Sequence, residues 1–169
     1  MKEKLILHDL GKEQGERLLP PASDDITVFP AVPVVKSCIG CFGCWTKTPG
    51  SCVIKDRAYE FPGLMATHKE MIVVSRMVFG GLSPAVKAVL DRSIGYMLPF
   101  FQIIKGEMHH VQRYKESPNL KYVFYGEEIS EQEKEIAKKL VEANAVNFGS
   151  NTFKAVFCNS PEDMEAAIK

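Results

Sequence analysis

Short apolar runs alternate with amphipathic segments along this chain, which is the pattern of an α/β protein. The runs that predict strands are Leu5–Leu7, Ile26–Phe29, Met71–Ser75, Leu120–Tyr125 and Phe153–Phe157. The third run is continuous and rich in β-branched residues, as in a strand buried on both faces. The alternation predicts a three-layer α/β sandwich with a five-stranded parallel sheet and right-handed crossovers. For a chain of this length we expect the strand order 2-1-3-4-5.

Capping residues predict where two helices begin. Ser83 and Pro84 are typical of an N-cap and a first helical residue, and an apolar stripe continues that helix until Pro99. Ser130 and Glu133 have the spacing of a capping box, and an apolar face follows them. Both helices are therefore expected to follow strands directly, with a glycine-containing turn in front of the first.

The segment from residue 99 to residue 119 shows neither the helical nor the strand period. It is long for a simple connection, so we expect an irregular excursion that serves function or subunit contact. It contains the adjacent histidines His109 and His110. Adjacent side chains point in different directions, which favours surface or subunit contacts over a shared metal site or a proton-donating role.

Size and charge exclude several classes. The chain has 169 residues, which predicts a single domain over 1–169, and Lys+Arg and Asp+Glu balance at 21 each. There is no electrostatic reason to expect a nucleic acid or an anionic membrane as partner. No apolar run approaches the roughly 20 residues that span a bilayer. The start of the chain has no signal-peptide pattern, so we expect a cytoplasmic protein with reduced cysteines.

Four of the five cysteines lie close together in a loop that spans residues 36–56. They are Cys38, Cys41, Cys44 and Cys52, in the pattern C-x2-C-x2-C-x7-C. Iron–sulfur proteins use the same C-x2-C-x2-C start, and such a spacing suits a [4Fe–4S] cluster. Gly40 and Gly43 fit this interpretation, because glycine lets the backbone approach cluster sulfurs closely.

Three other interpretations of these thiols stay open. Structural zinc normally uses two C-x2-C pairs that lie far apart in the sequence. A redox-active or catalytic thiol pair is a second alternative. The third is a cysteine-rich loop whose thiols are reduced and bind nothing. Cys158, in an apolar run, is expected to be a small buried hydrophobic residue.

The sequence resembles the flavodoxin-like NAD(P)H-dependent FMN reductases, and within them the iron–sulfur flavoprotein branch. The resemblance covers residues 34–126. Its first part is the cysteine run up to Trp45 with Lys47–Gly50 and Cys52–Asp56. Its later parts are Ser75-Arg76, Phe79-Gly80-Gly81, Asp91–Ser93, Gly106–His110 and Arg113-Tyr114. It implies a flavodoxin-like fold and subunits that assemble as homodimers or homotetramers. It also implies FMN across the carboxyl edge of the sheet and NAD(P)H as electron donor.

The resemblance also implies positions for the cofactor. The loop that would hold the flavin ring comprises Ser75, Arg76, Phe79, Gly80, Gly81 and Leu82, and the loop after the fourth strand adds Tyr125 and Gly126. An ordinary strand-to-helix turn, with Gly-Gly for geometry and Ser83 for capping, explains the first loop equally well. The four cysteines of the 36–56 loop would hold the [4Fe–4S] cluster near the flavin.

One stretch departs from that family. Its members open with a phosphate loop of the Gly-Ser-Pro-Arg kind after the first strand, where N–H groups, hydroxyls and a helix N-terminus bind the phosphate. Here the equivalent stretch is residues 8–14, which contain Asp9 and Glu13 and no hydroxyl side chain. The two carboxylates would repel a phosphate, which conflicts with the usual mode of FMN binding.

The sequence therefore predicts a flavin-dependent NAD(P)H oxidoreductase that passes electrons through a [4Fe–4S] cluster to a small-molecule or protein redox partner. The alternative is a protein of the same fold that has lost FMN together with its phosphate loop. It would act as a cluster-only electron carrier, a redox or metal sensor, or an interaction module. The stretch from residue 8 to residue 14 discriminates between the two hypotheses.

Overall fold

The computed structural model describes residues 1–168. In chain order its elements are β1 (Lys2–His8), α1 (Lys12–Leu18), β2 (Ile26–Pro30), α2 (Gly43–Thr46), α3 (Phe61–Thr67), β3 (His68–Arg76), α4 (Pro84–Asp91), β4 (Met97–Ile104), β5 (Glu107–Gln112), β6 (Asn119–Tyr125), α5 (Glu131–Phe148), β7 (Phe153–Cys158) and α6 (Glu165–Ile168). Strands β1, β2, β3, β6 and β7 form one sheet, and β4 and β5 form a separate hairpin.

The sheet confirms the predicted fold class and strand order. Its strands run β2-β1-β3-β6-β7, and every neighbouring pair is parallel. The order reverses between β1 and β3, because the chain moves outward from β1 to β2 and then returns to β3 on the other side. Open α/β sheets bind ligands beyond the carboxyl ends of the strands at such a switch point. The residues that follow β1 and β3 are therefore the first place to look for a site.

Alternating side chains of the strands build two hydrophobic layers. Leu5 and Leu7 of β1 face the core beneath α3, α4 and α5, whereas Ile6 faces the layer that Met164 and Ile168 complete. Successive side chains of a strand point to opposite faces, so one apolar run serves both layers. This arrangement explains why the sheet strands are continuous apolar runs.

The predicted caps are present. The Ser83 hydroxyl accepts a hydrogen bond from the N–H of Val86, and Pro84 is the first residue of α4. Ser130 and Glu133 form a reciprocal capping box at the start of α5, and Gly149 ends that helix with φ of 69°. These contacts place the N-termini of both helices at the carboxyl edge of the sheet.

The region after α4 differs from the prediction. The helix ends at Asp91, a 3-10 turn follows, and β4 begins at Met97 with Pro99 inside it. Strands β4 and β5 form an antiparallel hairpin rather than irregular structure, joined by Lys105 and Gly106 with φ of 52° and 87°. Pro99 is tolerated because the hairpin has only two strands and its outer edges need no ladder partner. Lys-Gly is a weak signal for a hairpin turn, so the sequence pattern does not predict this hairpin.

No helix among residues 1–168 combines the length and the apolar character needed to cross a membrane.

Candidate functional site

Two cavities are lined by some of the residues that the sequence singled out. The first, which we call the edge cavity, has a volume of about 540 Å³ and lies beyond the carboxyl ends of β3, β6 and β7. It is lined by Arg76, Met77, Tyr125, Gly126, Glu127, Ile129, Glu133 and residues 159–162. Its size falls in the range of small-molecule sites, roughly 300–1,000 Å³.

Asp9 hydrogen-bonds two of the residues that line this cavity. It follows β1 directly, and its carboxylate accepts hydrogen bonds from the N–H of Arg76 at 3.0 and 3.2 Å and from the Tyr125 hydroxyl at 3.0 Å. Burial raises the pKa of Tyr125 well above its ordinary value, and the negative charge of Asp9 raises it further. The tyrosine therefore stays protonated and keeps donating to Asp9. The carboxylate of Asp9 thus bridges the ends of β3 and β6 at the switch point.

Three of the eight predicted cofactor residues line the edge cavity: Arg76, Tyr125 and Gly126. Ser75 is fully buried; its hydroxyl accepts from the N–H of Ser83 and donates to the carbonyl of Arg76. It therefore connects the end of β3 to the start of α4. Leu82 packs against the hydrophobic core rather than into the cavity.

The other three predicted residues form a tight turn next to the cavity. Val78 and Gly81 exchange both backbone hydrogen bonds, at 3.0 and 2.8 Å, with Phe79 and Gly80 between them. Phe79 has φ of 50° and is 89% exposed. A bulky residue with positive φ is strained, and such strain is typical of functional sites. The Phe79 ring is thus presented to solvent beside the edge cavity.

The stretch after β1 does not fit a phosphate. Gly11 caps the seven-residue α1 without a side-chain hydrogen bond, and Glu13 lies in the first turn. Asp9 already holds the N–H of Arg76. A phosphate at this position would meet carboxylates instead of hydroxyls, so the residues present do not fit FMN held by its phosphate in the usual loop.

The second cavity, the cysteine cavity, has a volume of about 490 Å³ and is lined by all four cysteines of the 36–56 loop. Cys38 and Cys41 are exposed, whereas Cys44 and Cys52 are buried. Burial raises the pKa of the Cys44 thiol, and the neighbouring cysteines raise it further. All four cysteine residues of the loop therefore line one cavity.

The cavity does not have the geometry of a single-ion site. Among residues 1–168, no group of three or more His, Cys, Asp or Glu side chains is arranged to hold one metal ion. A tetrahedral zinc site needs all its sulfurs about 2.3 Å from the metal. The arrangement of these thiols therefore disfavours structural zinc.

One buried side chain closes the neck of the cysteine loop. The Arg92 guanidinium donates to the Asp56 carboxylate at 2.6 Å, to the Lys36 carbonyl at 3.2 Å and to the Ile54 carbonyl at 2.8 Å. The N–H of Lys36 also donates to Asp56 at 3.2 Å. Both ends of the 36–56 loop are thus tied to the end of α4. Within residues 1–168, the Arg92 Nε is one of several buried side-chain atoms without a hydrogen-bond partner, and Arg92 lines the cysteine cavity.

A row of aromatic rings leads from the cysteine loop to the hairpin. Phe42 stacks on Trp45 at 5.5 Å, Trp45 contacts His110 at 4.9 Å, and His110 contacts Phe101 at 4.8 Å. His109 points the other way, and its Nδ1 hydrogen-bonds the Asn147 side chain at 3.0 Å. The histidines therefore serve packing contacts on opposite sides of β5, as expected for adjacent residues of a strand.

The two cavities lie toward opposite ends of α5. Glu133 lines the edge cavity, whereas Asn144 and Asn147 line the cysteine cavity. At 1.5 Å per residue, Glu133 is about 16 Å from Asn144 and about 21 Å from Asn147 along the helix axis. The structure therefore does not bring the predicted flavin residues and the four cysteines together.

Sequence reasoning missed two residues that organise these cavities. Asp9 was recognised as a carboxylate that would oppose phosphate, but not as the hydrogen-bond partner of Arg76 and Tyr125. Arg92 was noted only as part of a motif, although it is one of the largest fully buried side chains. Arg92 lies three positions after Val89 of the apolar stripe, and this spacing was the available signal, because buried charges need a partner.

No protein-family model matches the chain, and no curated protein sequence matches it significantly. Among solved structures, the chain is similar to an FMN-dependent NADH-azoreductase from Bacillus anthracis str. Ames Ancestor in complex with FMN. The TM-score is 0.57 and the sequence identity is 13%, over 100% of this chain and 90% of that one. At this identity the likeness concerns the fold. The chain has the flavodoxin-like α/β fold that this azoreductase also has.

Proposed function

We propose that this protein is a flavin-dependent oxidoreductase that takes electrons from NAD(P)H. The observation that carries the proposal is the edge cavity, which lies at the carboxyl edge of a flavodoxin-like sheet and borders the switch point through Arg76 at the end of β3. Flavodoxin, which has this strand order, binds FMN at the same edge of its sheet. Support also comes from the fold likeness to an FMN-dependent NADH-azoreductase over the whole chain.

The edge cavity offers contacts for a planar ring. The Tyr125 ring and the backbone at Gly126 form one wall, and Arg76 with Met77 forms another. The backbone of these walls is held by hydrogen bonds from the N–H of Met77 to the Tyr125 carbonyl and from the N–H of Gly126 to the Cys158 carbonyl. A flavin bound here would supply hydride acceptance from a nicotinamide and one-electron release. The chain's own part is to hold the ring and to limit water around it.

The proposal is tested by flavin binding and by NAD(P)H oxidation with added flavin. We expect riboflavin or FMN to be quenched in fluorescence on binding, and the loaded protein to oxidise NADH or NADPH. Tyr125→Ala removes a wall of the cavity and should weaken flavin binding, whereas Tyr59→Ala, a tyrosine outside the cavity, serves as the matched control. Absence of binding for both riboflavin and FMN at millimolar concentration would refute the proposal.

A second candidate function rests on a different observation, the four cysteines that line one cavity of about 490 Å³. We propose, as the alternative, that this cavity holds a [4Fe–4S] cluster and that the protein is an electron carrier or a redox sensor without FMN. A cubane is larger than a single ion, so its cysteine ligands lie farther apart than the ligands of zinc. Because the two cavities lie toward opposite ends of α5, we propose the cluster as an alternative to the flavin function and not as an electron acceptor for the flavin.

Anaerobic purification distinguishes the two candidates. A broad visible absorption bleached by reductant, with iron and acid-labile sulfide, would support the cysteine-held cluster. Cys41→Ser should then abolish that absorption, whereas Cys158→Ser should leave it unchanged. Cys158 is a suitable control because it lies at the end of β7 and outside the cysteine cavity. A colourless protein with five free thiols would exclude the cluster.

We also propose that the protein forms a homodimer or homotetramer through the hairpin. Phe101 and Ile103 lie directly opposite His110 and Met108, so all four side chains share one face. Phe101, Ile103 and Met108 are between 63% and 67% exposed. We call these three residues the hairpin surface. An exposed cluster of large apolar side chains is typical of a subunit contact.

A further inference from the structure

We infer that the edge cavity selects a flavin without a phosphate group, of the riboflavin class, because the negatively charged Asp9 lies at the switch point. This inference rests on the proposed flavin function and names the form of flavin that the site takes. It also assigns a specificity-determining role to Asp9, which follows the last residue of β1.

The hydrogen bonds of Asp9 carry the first step of the argument. Both oxygens of its carboxylate accept a hydrogen bond from the N–H of Arg76, at 3.2 and 3.0 Å, and one accepts from the Tyr125 hydroxyl at 3.0 Å. A phosphate at the end of a strand binds through backbone N–H groups and hydroxyls of this kind. Two donors beside the β1–β3 switch point, the Arg76 N–H and the Tyr125 hydroxyl, are therefore already used by the chain itself.

The charges around the cavity carry the second step. Three glutamates, Glu127, Glu133 and Glu162, line the edge cavity, and Arg76 is the one cation among its lining residues. The Glu133 carboxylate is fixed by the capping box with Ser130. Glu162 is paired with Arg17 at 2.7 Å, so a doubly charged phosphate would meet Asp9, Glu127 and Glu133 in a partly enclosed space, where like charges repel more strongly than in water.

The uncharged part of a flavin meets none of these obstacles. The isoalloxazine ring and the ribityl chain are neutral, and the cavity of about 540 Å³ has room for both. Tyr125 keeps its ring against the cavity because its hydroxyl is held by Asp9. The same contact that removes the phosphate position thus positions a wall for the ring.

The test compares riboflavin and FMN on the full chain and on three variants. In the wild type we expect riboflavin to bind at least as tightly as FMN. Asp9→Ser removes the charge and supplies a hydroxyl, and it should raise the affinity for FMN about tenfold while riboflavin changes by less than about threefold. Asp9→Asn, which keeps the shape, should raise it by a smaller factor. Asp24→Ser removes an exposed carboxylate elsewhere and should change neither affinity.

The salt dependence of the wild type gives a second measurement that needs no variant. Raised ionic strength screens the repulsion, so the affinity for FMN should increase with salt while that for riboflavin does not. Tighter wild-type binding of FMN than riboflavin, by about tenfold or more, would overturn the inference and leave the proposed function standing. Absence of binding for both flavins would overturn both.

Discussion

The carboxylate of Asp56 lies 2.6 Å from the Nη1 of Arg92, whose side chain is fully buried. Burial opposes the charge of Asp56, but hydrogen bonds from Arg92 and from the N–H groups of Lys36 and Ala58 outweigh it and lower the pKa of Asp56. Through this pair the cysteine loop is closed at its neck and fixed to the end of α4.

Removal of the Asp56 charge should destabilise the protein strongly. Asp56→Asn leaves the buried Arg92 without its counter-charge, which costs about 3 kcal/mol in the free energy of unfolding. The double variant Asp56→Ala with Arg92→Met removes both charges and should recover at least half of that loss. Urea denaturation measures each value.

The matched control is the exposed pair Lys87–Asp91 on the same helix. Asp91→Asn should cost less than about 0.5 kcal/mol, because exposed ion pairs contribute little. Equal losses in the free energy of unfolding for Asp56→Asn and Asp91→Asn would show that Asp56 does not stabilise the buried charge of Arg92.

The free energy of unfolding should fall at mildly acidic pH, above the pH range in which carboxylates titrate. Burial lowers the pKa of His8 and of His68 below the ordinary value of 6.5. The unfolded chain then binds protons near pH 6.5 that the folded chain does not, so the free energy of unfolding falls as the pH drops below about 6.5. The stability at higher pH, where both forms are neutral, is unaffected by this linkage.

The double variant His8→Gln with His68→Gln tests that linkage. Its free energy of unfolding, measured by urea denaturation between pH 7 and pH 5, should change less with pH than that of the wild type. A slope equal to that of the wild type would assign the acid sensitivity to other groups. The comparison uses slopes, so a constant loss of stability from the substitutions does not affect it.

A side chain at Gly80 should disturb the contact between the turn and α5. Gly80 has φ of 77°, and a Cβ there would lie 2.8 Å from Ile136. Gly80→Ala should therefore cost about 2–3 kcal/mol, from backbone strain together with overpacking. Gly106→Ala provides the control, because its φ is 87° and nothing lies within 4 Å of the added Cβ. It should cost about 1 kcal/mol, from strain alone. Thermal melts of both variants measure the difference.

A charge on the hairpin surface should dissociate the proposed oligomer. Phe101→Asp places a carboxylate within an apolar contact, which burial makes unfavourable. We expect the variant to be monomeric in analytical ultracentrifugation at concentrations where the wild type is not. Phe153→Asp, which alters an exposed phenylalanine of β7, should leave the assembly unchanged. A monomeric wild type would remove the basis of the oligomer proposal.

The sequence by itself determined the sheet and the caps. Continuous apolar runs such as Met71–Ser75 specify strands buried on both faces, because local alternation fits both layers of the core. Ser83 and Ser130 specify helix starts, because capping depends on residues only three positions apart. The sequence alone also places four cysteines in one loop, since positions 38 and 52 are only fourteen residues apart.

Only the tertiary structure decided which residues face each cavity. Asp9 and Tyr125 are separated by more than a hundred positions, and their hydrogen bond exists because β1 and β6 flank β3 in the sheet. Arg92 reaches Asp56 because α4 ends above the neck of the cysteine loop. The distance between the two cavities is set by the length of α5, and no local pattern encodes it. Contacts between distant segments follow from the packing of whole elements, which the sequence specifies jointly rather than residue by residue.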